Sequence, residues 1–252
     1  MKNIIIGIIA LIALVTIINV GNQRYAPSEN MTDIKITPIS HATLVLSWDN
    51  ASIYIDPTGG AEAFADQAEP NLILITDIHG DHLSTETLQA VSRENTTLIM
   101  PQSVADELPE NLPGKIIIIG NDETTNQNGF SIKAIPMYNL REEALQFHTK
   151  GRGNGYVLEN NGKRVYIAGD TEDIPEMRAL KNIDIAFLPM NLPYTMPVEA
   201  AADAVLEFQP KTVYPYHYRG TDGLSDVEKF KSIVNESNPE IEVVLLDWYP
   251  EN

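Results

Sequence analysis

The chain has 252 residues, 35 acidic against 17 basic side chains for a formal charge of −18, and no cysteine. Acidity of this order, without any long basic run, excludes a phosphate-backbone partner, so no nucleic acid is expected. Without cysteine there are no disulfides, thiolate ligands or lipid-modified thiols, and any metal must be held by nitrogen and oxygen.

The first element is the run from Ile4 to Val20, apolar except for Thr16 and Asn19 and preceded by Lys2. It sits at the short limit for a bilayer span, which needs about 20 apolar residues. It is long for the about 7–15 apolar residues of a cleaved signal, and Asn19-Val20-Gly21 is a poor cleavage site. Nothing polar recurs along it to make the outer face of a core helix. Residues 1–21 therefore read as a signal anchor or a signal peptide, and residues 22–33 as a tether. Both readings place the rest of the chain outside the cytoplasm, with the membrane as a partner through this segment.

Residues 34–252 read as one catalytic domain, long enough for a sizeable core and undivided by any Pro/Gly/Ser tract. Two groups of short apolar strands are predicted. The first comprises 43–46, 53–55, 72–75 and 98–100, and the second 116–119, 132–135, 155–159, 165–168 and 185–188. With helices over Val198–Phe208 and Asp226–Asn235, the pattern predicts an α/β layered sandwich.

The chemistry is concentrated in Thr76-Asp77-Ile78-His79-Gly80-Asp81-His82. This stretch leaves the apolar strand 71–75 and precedes a helix that starts at the N-cap residue Ser84. Candidate ligands are thus crowded at the C-terminal end of a strand, where open α/β sheets place their sites. Three more candidates lie at comparable points far along the chain. His148 is in a polar loop before the strand 156–159, Asp170 closes the strand 164–168 within Gly169-Asp170-Thr171, and His217 follows 212–216. Four of the five histidines occupy these loops.

This order resembles the metallo-β-lactamase superfamily, whose signature is His-x-His-x-Asp-His on a strand-to-helix turn, then a distant His, a Gly-Asp and a final His. The resemblance runs from about Ile34 to Trp248 and implies a four-layer αββα sandwich. Ser40-His41-Ala42, Ile55-Asp56-Pro57, Gly169-Asp170-Thr171 and Pro215-Tyr216-His217 look like the branch of L-ascorbate 6-phosphate lactonases and phospholipase D-like enzymes. One position departs: the signature's first histidine is Asp77 here. The resemblance implies one metal held by Asp77, His79 and His148, a second held by Asp81, His82 and His217, and Asp170 bridging. Three carboxylates against two divalent cations leave one positive charge for a bridging hydroxide to neutralise. The expected cofactors are two divalent transition-metal ions, zinc first, with the carboxylate at position 77 shifting preference toward manganese or iron.

The expected reaction is hydrolysis by a metal-held hydroxide of a small-molecule ester-type bond, a phosphodiester or a lactone, with Asp170 or Asp81 fixing the geometry. An exported non-catalytic metal-binding protein and a diiron redox enzyme are the alternatives. His41 has no ligand spacing and reads either as a proton donor in the site or as a core hydrogen-bonding group. Asp56 reads as a partner that orients a ligating histidine, or as a turn residue. The segment Met190–Pro197 is expected to wall the pocket, with Tyr194 and Thr195 touching substrate. Arg141, Lys150 and Arg152 flank His148 and could meet an anionic group.

Overall fold

The protein is described by a computed structural model over residues 34–250; the anchor or signal segment and the tether lie outside the described residues. Six strands form the first sheet in simple sequence order: β1 (Lys35–Ser40), β2 (Thr43–Trp48), β3 (Ala51–Ile55), β4 (Leu72–Leu74), β5 (Thr97–Met100) and β6 (Lys115–Ile118). The first three are antiparallel, and β3 through β6 run parallel. The second sheet contains β7 (Thr124–Gln127), β8 (Phe130–Met137), β9 (Gly153–Asn160), β10 (Lys163–Ile167), β11 (Ile185–Leu188) and β12 (Thr212–Pro215). A small hairpin of β13 (Arg219–Gly220) and β14 (Gly223–Leu224) comes next in the chain, and β15 (Glu242–Val243) returns to the sheet edge. Spatial order is β15-β12-β11-β10-β9-β8-β7, parallel from β10 through β15.

Side-chain alternation explains why these sheets stack. Leu44, Leu46, Ile53, Ile55, Leu72 and Leu74 share one buried cluster with Ile132, Leu158 and Val165 of the second sheet. The intervening Val45, Tyr54, Ile73, Leu98 and Met100 point the other way. There they meet Leu88 and Val91 of α1 (Thr85–Val91) and Val104 of α2 (Gln102–Ala105). Period-two alternation with apolar residues at every position is what a strand covered on both faces requires. Each such side chain contributes about 1.5–3 kcal/mol by leaving water. On the far side of the second sheet, after α3 (Pro175–Arg178), come α4 (Val198–Phe208) and α5 (Val227–Ser237), which bury Ala201, Val205, Phe208, Phe230 and Val234. Tyr166 of β10 packs edge-on against Phe208, and Trp48 meets Phe130 across the sheets at 5.0 Å. The expected α/β sandwich with helices outside two sheets is the observed fold.

Most predicted elements appear within a residue or two, but the strand predicted at 116–119 in the second group pairs with β5 as β6 of the first sheet. The Val198–Phe208 helix matches in full; the second helix uses Asp226 as its cap, accepting Lys229 N–H at 2.9 Å, and runs on to Ser237. The strands β1, β7, β13, β14 and β15 and the short α2 and α3 have no counterpart among the predicted elements. β7 is Thr-Thr-Asn-Gln, a polar edge strand with no apolar signal that forms because β8 offers it a ladder. Among the described residues no helix is long and apolar enough to cross a membrane.

Candidate metal centre

Every candidate ligand is delivered by a turn beyond the carboxyl end of a strand or by the loop before β9. Residues 76–82 leave β4, and the turn closes when His82 and Leu83 donate N–H to His79 O at 2.9 and 2.8 Å. Ser84 then caps α1 by accepting Thr87 N–H. Asp170 follows β10 through Gly169, whose φ of 67° lies in the left-handed region and where a Cβ would fall 2.6 Å from Met137 Sδ. His217 follows β12, itself with φ of 46°. His148 reaches the same point from the loop before β9, where Asn139 N–H holds its carbonyl at 2.9 Å.

The structure brings all seven residues to one place. Asp170 lies at the middle, with Oδ2 3.1 Å from His148 Nε2 and 3.3 Å from His82 Nε2, and Oδ1 3.3 Å from His217 Nε2. Asp81 Oδ2 is 3.3 Å from His217 Nε2, and Asp77 Oδ2 is 2.9 Å from His79 Nδ1. Among the described residues three groups have donor atoms close enough to share an ion: Asp77, His79 and His148; His82, Asp170 and His217; and His41, Asp81 and His217. Behind the ring nitrogens stand orienting partners. His82 Nδ1 is 2.8 Å from Asp56 Oδ2, His148 Nδ1 is 3.1 Å from the Tyr194 carbonyl, and His217 Nδ1 is 2.9 Å from the Asn191 amide. Each therefore turns Nε2 toward the centre; the Asp56 carboxylate and the Tyr194 carbonyl are the acceptors a metal-binding histidine needs behind it, while the Asn191 amide braces the His217 ring. His148 Nε2 and Asp170 Oδ1 are buried and, though respectively 3.1 Å from Asp170 Oδ2 and 3.3 Å from His217 Nε2, make no aligned hydrogen bond. Unpaired buried polar atoms are costly, and a cation among these nitrogen and oxygen donors satisfies both. The residues fit a metal centre.

A β-lactamase superfamily domain model matches residues 35–217. The chain belongs to the metallo-β-lactamase superfamily. It is 32% identical over 222 residues to a UPF0173 metal-dependent hydrolase of Thermococcus onnurineus, covering 84% of this chain and 96% of the relative. A solved structure from Parabacteroides distasonis is 41% identical, covering 84% of this chain and 92% of its own, with a TM-score of 0.75. The metallo hydrolase Igni18 of Ignicoccus hospitalis, 24% identical with a TM-score of 0.71 over 85% of this chain and 95% of its own, shares the fold. Within this superfamily the chain is a metal-dependent hydrolase.

Electrostatics in this superfamily member follow from the crowding. Burial acts to raise Asp170, but the imidazoles of His217, His82 and His148 outweigh it and hold the carboxyl well below the ordinary range. Asp81 follows the same pattern: burial opposes ionisation, and His217 and His41 overcome it. Burial acts to lower His82, but Asp170 and Asp56 on either side hold it well above the usual histidine value. Asp56 thus takes the orienting role rather than that of a turn residue, also accepting Thr76 N–H and Oγ1–H at 2.7 and 2.6 Å.

Asp77 has company that its sequence neighbourhood does not reveal. Arg152 grips it with two bonds, Nε to Oδ1 at 3.0 Å and Nη2 to Oδ2 at 2.7 Å. The guanidinium is placed by backbone packing: a Cβ at Gly153 would fall 2.8 Å from Thr76 O, so only glycine lets the two segments run this close. Ser103 Oγ holds the Arg152 carbonyl at 2.6 Å. The only sequence signal is an arginine between glycines in Lys150-Gly-Arg-Gly153.

A cavity of about 330 Å³ opens over the centre, lined by His79, Asp81, Phe147, His148, Asp170, Asn191 and Tyr194. Tyr194 is on its wall as expected, edge-on to Phe147 at 5.1 Å. Thr195 is not: fully buried, it donates to Asn191 Oδ1 and braces that side chain instead. The three cations flanking His148 that could meet an anionic group are all engaged. Arg141 bonds Glu172 and the Pro193 and Thr195 carbonyls, Lys150 pairs with Glu176 at 2.6 Å, and Arg152 holds Asp77. His41 does not line the cavity; its Nε2 lies 3.3 Å from Asp81 Oδ2.

Proposed function

We propose that the protein hydrolyses an ester-type bond in a small molecule, a lactone or carboxylic ester in preference to a phosphodiester, and that the substrate carries an apolar group. One observation carries this reading: the cavity over the ligand cluster is walled by Phe147 and Tyr194, and the neighbouring cations are already paired. An uncharged carbonyl substrate leaves no buried charge unmatched there, whereas a phosphodiester would have to find its own counter-charge.

When bound, the metal supplies an activated water at neutral pH and polarises the scissile oxygen. The chain's own residues do the rest. Asp77, His79 and His148 on one side and Asp81, His82, Asp170 and His217 on the other are the groups that would hold it. Asp81, ionised and 41% exposed toward the cavity, is placed to accept a hydrogen bond from the attacking water and orient it toward the scissile carbonyl. His41 keeps its own proton on Nε2 and aims it at Asp81. Tyr249 enforces this: its hydroxyl oxygen accepts Tyr218 N–H and Arg219 N–H at 3.0 and 3.1 Å, so its proton points to His41 Nδ1 at 2.7 Å. Burial pushes the His41 imidazole down, so it acts in the neutral form. Phe147 and Tyr194 dock the apolar part and keep bulk water from the reacting carbonyl.

The test is a substrate panel on metal-loaded protein: aryl carboxylic esters, lactones of graded side-chain length and bis-aryl phosphodiesters. Lactones and carboxylic esters should be turned over best, with kcat/KM rising as the apolar group lengthens. Turnover of phosphodiesters alone would reverse the assignment.

A further inference from the structure

The two halves of the centre are not electrostatic equals. Around His82 and His217 stand Asp81, Asp170 and, behind His82, Asp56, with no cationic side chain in contact among the described residues. Around His79 and His148 stand Asp77 and the shared Asp170, but the Asp77 charge is already met by Arg152. The Arg152 guanidinium bonds Asp77 Oδ2, the oxygen nearest both His79 Nδ1 and His148 Nε2, and its Nη2 is 3.5 Å from His79 Nε2. A count of the ligating carboxylates alone leaves out both Arg152 and Asp56. Once they are included, the favourable field lies on one side. A divalent cation near His79 and His148 meets a fixed positive charge within a few ångströms in a half-buried setting, where screening is weak. The pair is bidentate and its Asp77 half is fully buried, so the guanidinium does not swing away easily.

We propose that the Arg152–Asp77 ion pair makes this a graded centre. One ion binds tightly at His82, Asp170 and His217; a second, at Asp77, His79 and His148, binds much more weakly, with Arg152 setting its affinity. Aspartate in place of the signature's first histidine is then the anchor for a resident cation, and its ligand role is secondary. This inference rests on the reading of the cluster as a metal centre.

The experiment is metal binding, not turnover. The full-length chain, stripped with chelator, is titrated with Zn²⁺ against a chromophoric competitor and with Co²⁺ by visible absorption. Wild type should bind in two steps, the second about a hundredfold weaker than the first. Arg152→Gln should tighten the second step by about tenfold or more and leave the first in place, and Arg152→Lys, which keeps the charge, should preserve the inequality. The double change Asp77→His with Arg152→Gln should give two ions of similar affinity. His82→Ala should remove the tight step. Two ions within tenfold of each other in wild type would overturn the proposal. So would a second step weakened by Arg152→Gln, which would make Arg152 a support for Asp77 as ligand. Failure to bind either ion would sink the metal-centre reading itself.

Discussion

The Tyr249 hydroxyl, 2.7 Å from His41 Nδ1, decides which nitrogen of His41 faces Asp81. Two backbone N–H groups occupy the oxygen's lone pairs, leaving only its proton for the imidazole. A residue three from the end of the chain thereby sets the protonation pattern of a group beside the ligand cluster.

Tyr249→Phe removes that constraint while keeping the ring. The His41 tautomers then interchange, and Asp81 loses its fixed donor for part of the time. We expect kcat to fall about tenfold with KM and metal content unchanged, and stability to drop by about 1 kcal/mol for the lost hydrogen bond. Steady-state kinetics beside elemental analysis gives the answer; an unchanged kcat would leave Tyr249 a purely structural group.

Asp170 touches three of the candidate ligand histidines, His82, His148 and His217. Asp170→Asn keeps the shape and loses the charge, so both ions should be weakened and hydrolysis should fall by at least about a hundredfold. The fold should persist, because the side chain packs against imidazoles rather than the apolar core. Wild-type activity and metal content in this variant would reduce Asp170 to a turn residue.

The pH dependence of the chelated protein should reverse that of the loaded one. In the metal-free chain His82 is held above its ordinary value and Asp170 below its own. A raised histidine contributes stability that is complete below about 6.5 and lost as pH rises through its folded value. A depressed aspartate contributes above about 3.9 and loses that contribution as pH falls through its folded value. Melting temperature without metal should therefore peak between about pH 4 and 6.5 and decline on the alkaline side. Metal must displace the His82 proton, so its stabilisation should grow with pH. Melts at about pH 6 and about pH 9, with and without chelator, would expose a wrong sign.

The N-terminal segment is expected to act as an anchor or signal, independently of the catalytic domain. Every candidate ligand lies at or beyond Asp77, apart from His41, and the described core begins beyond residue 34. Deleting residues 1–30 should give a soluble domain that binds metal, while the full chain should fractionate with membranes and be cut by protease outside the cytoplasm. Recovery of intact full-length chain from the cytosol would mean that the apolar run serves some other purpose.

Local features of the sequence determined the central strands, the two long helices and the ligand turns. Alternating and continuous apolar runs report burial directly, and a ligand within a few residues of a strand end is carried to the site by that strand. Asp77, His79, Asp81 and His82 are neighbours in sequence; His148, Asp170 and His217 each mark their own strand boundary. What tertiary structure decided is who stands beside whom. Arg152 reaches Asp77 across 75 positions, and Tyr249 reaches His41 across 208. Thr195 turned inward to brace Asn191, and Lys150 and Arg141 found glutamates instead of the cavity. Charge pairing and tautomer choice depend on distances of a few ångströms between segments with no sequence relation. A pattern read along the chain picks out the candidate metal ligands, and only the packed fold reveals how the charge among them is divided.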